Sequence, residues 1–217
     1  NYAKNKKTLT GRATNIAMAM ALASSEVNAS MGKIVACPTA GSCGILPAVI
    51  LAAGEVLELS EDEMINGLLA ASAVGMIIGM NATLSGAEGG CQAECGSASA
   101  MGAAAVVELM GGTPKMSLDA GSIILQNVLG LVCDPVAGLV EIPCAKRNAQ
   151  GAITALCTAD MVMAGVEAKI PFDDAVEAMY KVGKSLPSAL RETAMGGVAA
   201  TKEGLRLKEK VFGKNNE

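Results

Sequence analysis

The chain has no histidine and seven cysteines, at positions 37, 43, 91, 95, 133, 144 and 157. Without imidazole, any metal must rest on thiolates and carboxylates, and proton transfer near neutrality lacks its usual carrier. Thiolate-only ligation points to structural zinc or to an iron-sulfur cluster. Compact zinc sites use Cys-x-x-Cys knuckles, and no two of these cysteines are so spaced. Single ligands far apart in sequence suit a cluster assembled by a folded scaffold. A ligand needs a turn that presents its sulfur. Cys91 follows Gly89-Gly90, Cys133 precedes Asp134-Pro135 and Cys144 follows Pro143, while Cys37 and Cys43 flank Pro38-Thr39-Ala40-Gly41-Ser42. All five lie at breaks in helical pattern. Cys157, mid-helix among apolar neighbours, reads as core, and Cys95 is a weaker candidate. Residue types alone do not choose three of the five.

The elements that must position these residues are helical. Ile16, Met20, Ala23 and Val27 recur at helical spacing in a first helix over Arg12 to Met31. The Pro38 to Gly44 segment is a loop feeding an apolar run from Ile45 to Leu59. Ser60 with Glu63 forms a capping-box pattern, and acidic residues in the first turn suit the helix dipole, which predicts a buried helix from Glu61 to Met80. Asn81 to Gly96 is rich in Gly and polar residues between two apolar stretches, and is where chemistry is expected. A small-residue helix reaches Met110, and Thr113-Pro114 opens another that ends near Leu131. Helical pattern resumes from Ala149 to Ala168, with shorter helices at Phe172 to Lys184 and Ser188 to Thr193. The tail from Lys202 to Glu217 is charged and reads as frayed or peripheral.

Composition agrees. Of 217 residues, 51% are apolar but only 2% aromatic, so Ala, Leu, Ile, Val and Met must build the core. Ala, Leu and Met favour helix, which predicts an all-α fold: one compact helical domain over residues 1–217, with its candidate ligands on Gly/Pro-rich loops. A net charge of −4 and no long basic run argue against nucleic acid. The uncharged stretch from Met64 to Ala87 is long enough to span a bilayer, but its apolar part stops near Met80 and no aromatic belt flanks it, so a membrane role is set aside. An odd number of cysteines in a chain this large predicts a reducing, cytoplasmic setting. The chain opens at Asn1 with a polar segment and reads as lacking the N-terminal part of a longer polypeptide, with no targeting peptide. Gly89-Gly90 is followed by no Lys-Ser or Lys-Thr, which sets nucleotides aside.

Three blocks narrow the choice among the cysteines. They are Ser85-Gly86-Ala87-Glu88-Gly89-Gly90-Cys91-Gln92, Cys133-Asp134-Pro135-Val136-Ala137-Gly138-Leu139-Val140 and Pro143-Cys144-Ala145-Lys146-Arg147-Asn148. In order and spacing they resemble the motifs of iron-sulfur-dependent L-serine dehydratases, and nearly the whole chain, from about Asn1 to Gly197, resembles that family's α portion. The resemblance implies a 4Fe-4S cluster held by Cys91, Cys133 and Cys144, with one iron left without a cysteine from these motifs. It also implies that Pro38 to Ser42 is the substrate-side loop. Some members of the family carry a further Cys at their extreme C-terminus; this chain ends in Lys214-Asn215-Asn216-Glu217 and lacks it.

The activity implied by the same resemblance is dehydration of L-serine to pyruvate and ammonia, with an open iron as Lewis acid. Lys146 or Arg147 would pair with the substrate carboxylate, while Thr39, Gly41, Ser42, Asn81, Ser85, Gly86 and Asn148 would line and orient the substrate. The family's β portion carries a His in a Ser-His-Thr context, so the resemblance implies a β chain as partner and source of the base, within an oligomer. Glu88 is the in-chain alternative. Plainer readings stand beside these: Lys146 and Arg147 as a solvated pair, Glu88 as a helix-start residue, Ser85-Gly86 as a turn, the methionines as core filler. Competing functions are a cluster-dependent lyase acting on another small amino acid, a helical domain with a structural or sensing cluster, and a zinc-stabilised interaction domain.

Overall fold

A computed structural model describes residues 2–213, and helices carry most of them. In chain order these are α1 (Tyr2–Asn5), α2 (Arg12–Ala29), α3 (Ile45–Leu57), α4 (Glu61–Asn81), α5 (Gly86–Gly89), α6 (Ser97–Leu109), α7 (Pro114–Val128), α8 (Cys144–Met163), α9 (Phe172–Ser185) and α10 (Lys202–Phe212). One π turn, Gln92–Gly96, leads into α6, and short 3-10 turns occupy the loops. Among the described residues there is no strand, only an isolated bridge between Cys133 and Arg191. The all-α expectation holds.

Small side chains decide the packing. Every residue of α6 from Ser97 to Val107 is buried, and most are Ala, Ser or Gly. A helix apolar or small on all sides can be enclosed on all sides, and α6 is surrounded by α3, α4, α7 and α8. α2 packs across α3 and α8, and α9 closes over α7. The buried side chains form one cluster through these helices, reaching Cys91, Cys95 and Cys133 at its edge.

The capping box opens α4 as expected: Ser60 and Glu63 each cap the other's backbone N–H. Thr113 caps α7, accepting from the N–H of Met116. Other expectations need correction. α8 starts at Cys144, directly after Pro143, rather than at Ala149. The polar Lys146-Arg147-Asn148 turn hides the start, because its buried members are held by hydrogen bonds rather than by apolar contact. α2 buries Ala17, Ala21 and Ser25 and leaves Val27 exposed, since small residues let it approach its neighbours.

α4 is half-buried rather than buried. Gly67, Ala71, Val74, Gly75 and Ile78 face the core, while Ile65, Leu69, Met76 and Met80 form an exposed apolar stripe. Those methionines are therefore not core filler. By length and composition alone, α4 and the Ala40–Leu57 stretch would each suffice to cross a membrane, although most of the latter is buried within the fold.

Ser188–Leu190 is a 3-10 turn, and the chain beyond it turns through positive φ at Glu192 and Ala194 instead of continuing a helix to Thr193. The charged tail is not frayed over Lys202–Phe212, which forms α10, capped by Thr201 and resting on Val136–Gly138 and Gly197–Ala200. Residues 214–217, on which the missing terminal Cys bears, lie outside the described residues. Cys157 is exposed on the outer face of α8, not core.

Candidate active site

Cys91, Cys133 and Cys144 are all buried, and each reaches its place by a different local device. Cys91 follows Gly90, whose φ of 78° belongs to the left-handed region that favours glycine, and immediately precedes the π turn. Cys133 lies in extended chain between α7 and the 3-10 turn at Val136–Gly138. Its N–H donates to Leu190 O at 2.9 Å, and its carbonyl accepts from Glu192 N at 2.7 Å. Cys144 is the first residue of α8.

Three polar side chains tie these segments together. Gln92 is fully buried: its Nε2 donates to Gly89 O and Met179 O, both at 2.9 Å, and its Oε1 accepts from Gly130 N at 2.8 Å. The Cys91 loop is thereby fixed to α9 and to the chain leading to Cys133. Arg147 donates through Nη1 to Val132 O at 2.8 Å and pairs through Nη2 with Asp134 Oδ1 at 2.9 Å, which joins the Cys133 segment to α8. That last contact is ionic rather than an aligned hydrogen bond; the other carboxylate oxygen of Asp134 accepts from Val198 N at 2.7 Å. Asn148 donates to Gly41 O at 2.7 Å and Cys144 O at 2.9 Å and accepts from Gly44 N at 2.9 Å, holding the Thr39–Gly44 loop against the start of α8.

The thiols act on one another. A hydrogen bond from Cys95 holds Cys91 below the usual thiol range despite burial, and the Arg147 cation adds to this. Cys95, the partner in that bond, is pushed up by it and by burial. Burial raises Cys133, with Cys91, Glu94, Glu192 and Cys144 adding to the shift. Cys144 is pushed up to about 12 by burial, then by Cys91 and Glu94. Burial disfavours the Arg147 charge, but Cys91 and Asp134 more than compensate and its affinity for the proton rises.

The buried carboxylate beside these thiols is Glu94, carried by the π turn; Glu88 is exposed in the short helix α5. Burial raises Glu94, the Thr39 hydroxyl bonded to Oε1 works against this, and the Glu192 charge raises it further. Thr39 and the buried Ser42 lie 3.0 Å apart, oxygen to oxygen. Two glycines leave the carboxylate room. A Cβ on Gly41 would stand 2.5 Å from Glu94 Oε1. One on Gly86 would stand 3.0 Å from Cys133 Sγ, 3.1 Å from Glu94 Oε2 and 3.4 Å from Glu192 Oε2.

The structure therefore brings together Cys91, Cys133, Cys144, Thr39, Gly41, Ser42, Gly86, Arg147 and Asn148, with Ser85 adjoining as the residue before α5. It does not bring Asn81, which donates to Ile77 O and lines a cleft with Asp173, Val176 and Glu177. Lys146 lines another cleft, with Glu26 and Glu141. Cys37 is only partly buried, its thiol pushed up to about 11 by burial and by Cys43. Gln92 and Glu94 are the members that sequence reasoning missed. Their signal was an amide and an acid flanking Cys91 and Cys95, on the threshold of a helix too apolar and small to offer either a polar partner.

Among the described residues no group of three or more Cys, Asp and Glu is gathered to hold one metal ion. A multi-iron cluster asks for something else: separate soft thiolates, one on each iron that the protein anchors, close enough to act on one another, with nearby positive charge to offset the cluster's own. Cys91, Cys133 and Cys144, buried and in mutual electrostatic range, with Arg147 beside Cys91, fit three such anchors.

Residues 1–199 match the family model described as serine dehydratase alpha chain. The chain is 53% identical over 212 residues to the "Probable L-serine dehydratase, alpha chain" of Bacillus subtilis (strain 168), covering 98% of this chain and 71% of that one. It is 55% identical over 207 residues to the "L-serine dehydratase, alpha chain" of Peptoniphilus asaccharolyticus, covering 95% and 71%. With "L-serine dehydratase TdcG" of Escherichia coli (strain K12) the identity is 45% over 181 residues, 82% of this chain but 40% of that longer one. Matched along almost its whole length by the family model and at more than half identity to the alpha chains of two relatives, the chain belongs to the serine dehydratase alpha chain family.

Proposed function

We propose that the chain is the α chain of an L-serine ammonia-lyase of the iron-sulfur type, a cytoplasmic enzyme completed by a β chain. The observation that carries this reading is that Cys91, Cys133 and Cys144, one from each motif block, are buried thiols in mutual electrostatic range. These three would hold a 4Fe-4S cluster. When bound, such a cluster with one iron not held by these cysteines supplies a Lewis-acid corner that favours departure of the substrate hydroxyl.

The chain's own residues bind and orient. Arg147, already committed to Asp134 and Val132, offsets the negative charge of Cys91 rather than clamping a substrate carboxylate. Asn148 spends its amide on the Gly41 and Gly44 backbone, so its part is to fix the substrate-side loop. Thr39 and Ser42 present hydroxyls at the hollow and orient what enters.

The reaction removes the α-proton and the hydroxyl of serine as water, leaving aminoacrylate. This tautomerises to the imine, and water then releases pyruvate and ammonia. A chain without histidine does not supply an imidazole for the α-proton. That base comes from the β chain.

The test is anaerobic reconstitution of the chain, with iron and sulfide counting, followed by a pyruvate assay with and without the β chain. Cluster loading by the α chain alone and pyruvate formation only with both chains are expected. Serine turnover at full rate by the α chain alone would overturn the two-chain reading. Single Cys→Ser variants at 91, 133 and 144 are expected to lose most of the bound iron, whereas Cys157→Ser keeps it.

A further inference from the structure

Serine carries three groups that a site can grip: a hydroxyl, a carboxylate and an α-ammonium. None of the roles assigned to Arg147, Asn148, Thr39 and Ser42 engages the ammonium. We propose, on the reading of the chain as a serine-binding enzyme, that Glu94 is the residue that binds the substrate ammonium, making the site select amino acids over hydroxy acids of the same shape.

Four observations support it. Glu94 is buried, and among the described residues no Lys or Arg pairs with it; the charged group acting on it is a second carboxylate, Glu192. An anion enclosed without a cation is costly to the folded chain, and an incoming ammonium relieves that cost. The carboxylate is also aimed. Thr39 donates to Oε1 from the substrate-side loop, which leaves Oε2 beside Gly86 and close to Cys133. The space is reserved, since a side chain at position 41 or 86 would meet one carboxylate oxygen or the other. Finally, Arg147, the cation beside Cys91, is spent on Asp134, Val132 and Cys91, and Arg191, bridged to Cys133 with a buried Nε that has no partner, forms no ion pair with Glu94.

The other features of the molecule carry less. The exposed stripe on α4 has nothing that says what covers it, the cleft at Asn81 holds no enclosed polar group, and the one buried polar side chain in the cleft at Lys146, Ser25, is spent on Ala21 O.

The experiment uses the reconstituted two-chain enzyme and two probes, L-serine and glycerate, which replaces the ammonium by a hydroxyl. Binding of each is measured by calorimetry on the two-chain protein before its iron is loaded, where serine is not consumed, alongside kcat and KM for serine after loading. For Glu94→Gln, serine binding weakens about tenfold or more, as expected for loss of a charge-assisted bond, while glycerate binding stays within about twofold. Glu94→Asp recovers part of the loss. Gly41→Ala, which displaces the carboxylate without removing it, shifts the two probes in the same sense as Glu94→Gln. Iron and sulfide content are unchanged in all three. Equal weakening of serine and glycerate would overturn the proposal, as would a fall in kcat with serine binding intact, which would make Glu94 a proton carrier. Because calorimetry reads binding alone, failure of the wild-type enzyme to convert serine would count against the functional reading and leave the ammonium assignment to be decided by the two probes.

Discussion

Enclosure without a cation makes Glu94 hold its proton more tightly in the folded chain than in the unfolded one. The consequence for stability has a definite sign. A carboxylate raised by folding favours the folded state when protonated, and that contribution fades as pH climbs from the ordinary carboxylate range through the raised value. Glu94→Gln in the iron-free chain is therefore expected to raise the urea midpoint at neutral pH. The gain should shrink toward zero near about pH 4, where unfolded carboxylates also take up protons; an equal gain at both ends of this range would refute the assignment. Gln92 is the complementary case, a buried amide with its partners in place. Gln92→Leu strands Gly89 O, Met179 O and Gly130 N, and is expected to cost roughly 2 kcal/mol in chemical denaturation. Arg147→Gln leaves Asp134, only 3% exposed, without its cation, and should cost roughly 3 kcal/mol by the same measurement.

Among the elements, the start of α4 was legible because Ser60 and Glu63 act through a local rule that needs no tertiary context. Ser60→Ala should cost about 1 kcal/mol, seen as a lower urea midpoint with unchanged slope. The start of α8 was not legible in the same way. Cys144 to Asn148 show no apolar periodicity; Asn148 and Arg147 are anchored by partners more than a hundred and about fifteen residues away, respectively. The π turn was equally hidden, since no residue preference marks one extra residue per turn. Glu88 and Glu94 look alike in the sequence. One falls on the open side of α5 and the other inside the π turn against Thr39, and this separates them. For Cys157, apolar neighbours suggested burial, yet its own direction from α8 is outward.

On the scale of the whole molecule, the scarcity of aromatic residues and the supply of Ala and Gly pointed correctly to helices packed close. They could not say which helix would be central. That is settled by α6, whose small residues meet four other helices. Ala103→Leu adds volume where no neighbour can retreat, and is expected to cost roughly 1–3 kcal/mol and to broaden thermal unfolding. The motif blocks placed the candidate ligands at loops, but how they meet depends on contacts between distant segments, which spacing does not encode.

The ties made by Gln92, Arg147 and Asn148 run from protein to protein. If these cysteines hold a cluster, as proposed, none of those three ties depends on it, and loading is expected to be a late step performed on a folded chain, unlike modules that collapse only around their metal. Amide hydrogens of residues 89 to 95 should accordingly exchange slowly even before any iron is supplied, and a chain that has lost its inorganic contents should be refillable without passing through denaturant.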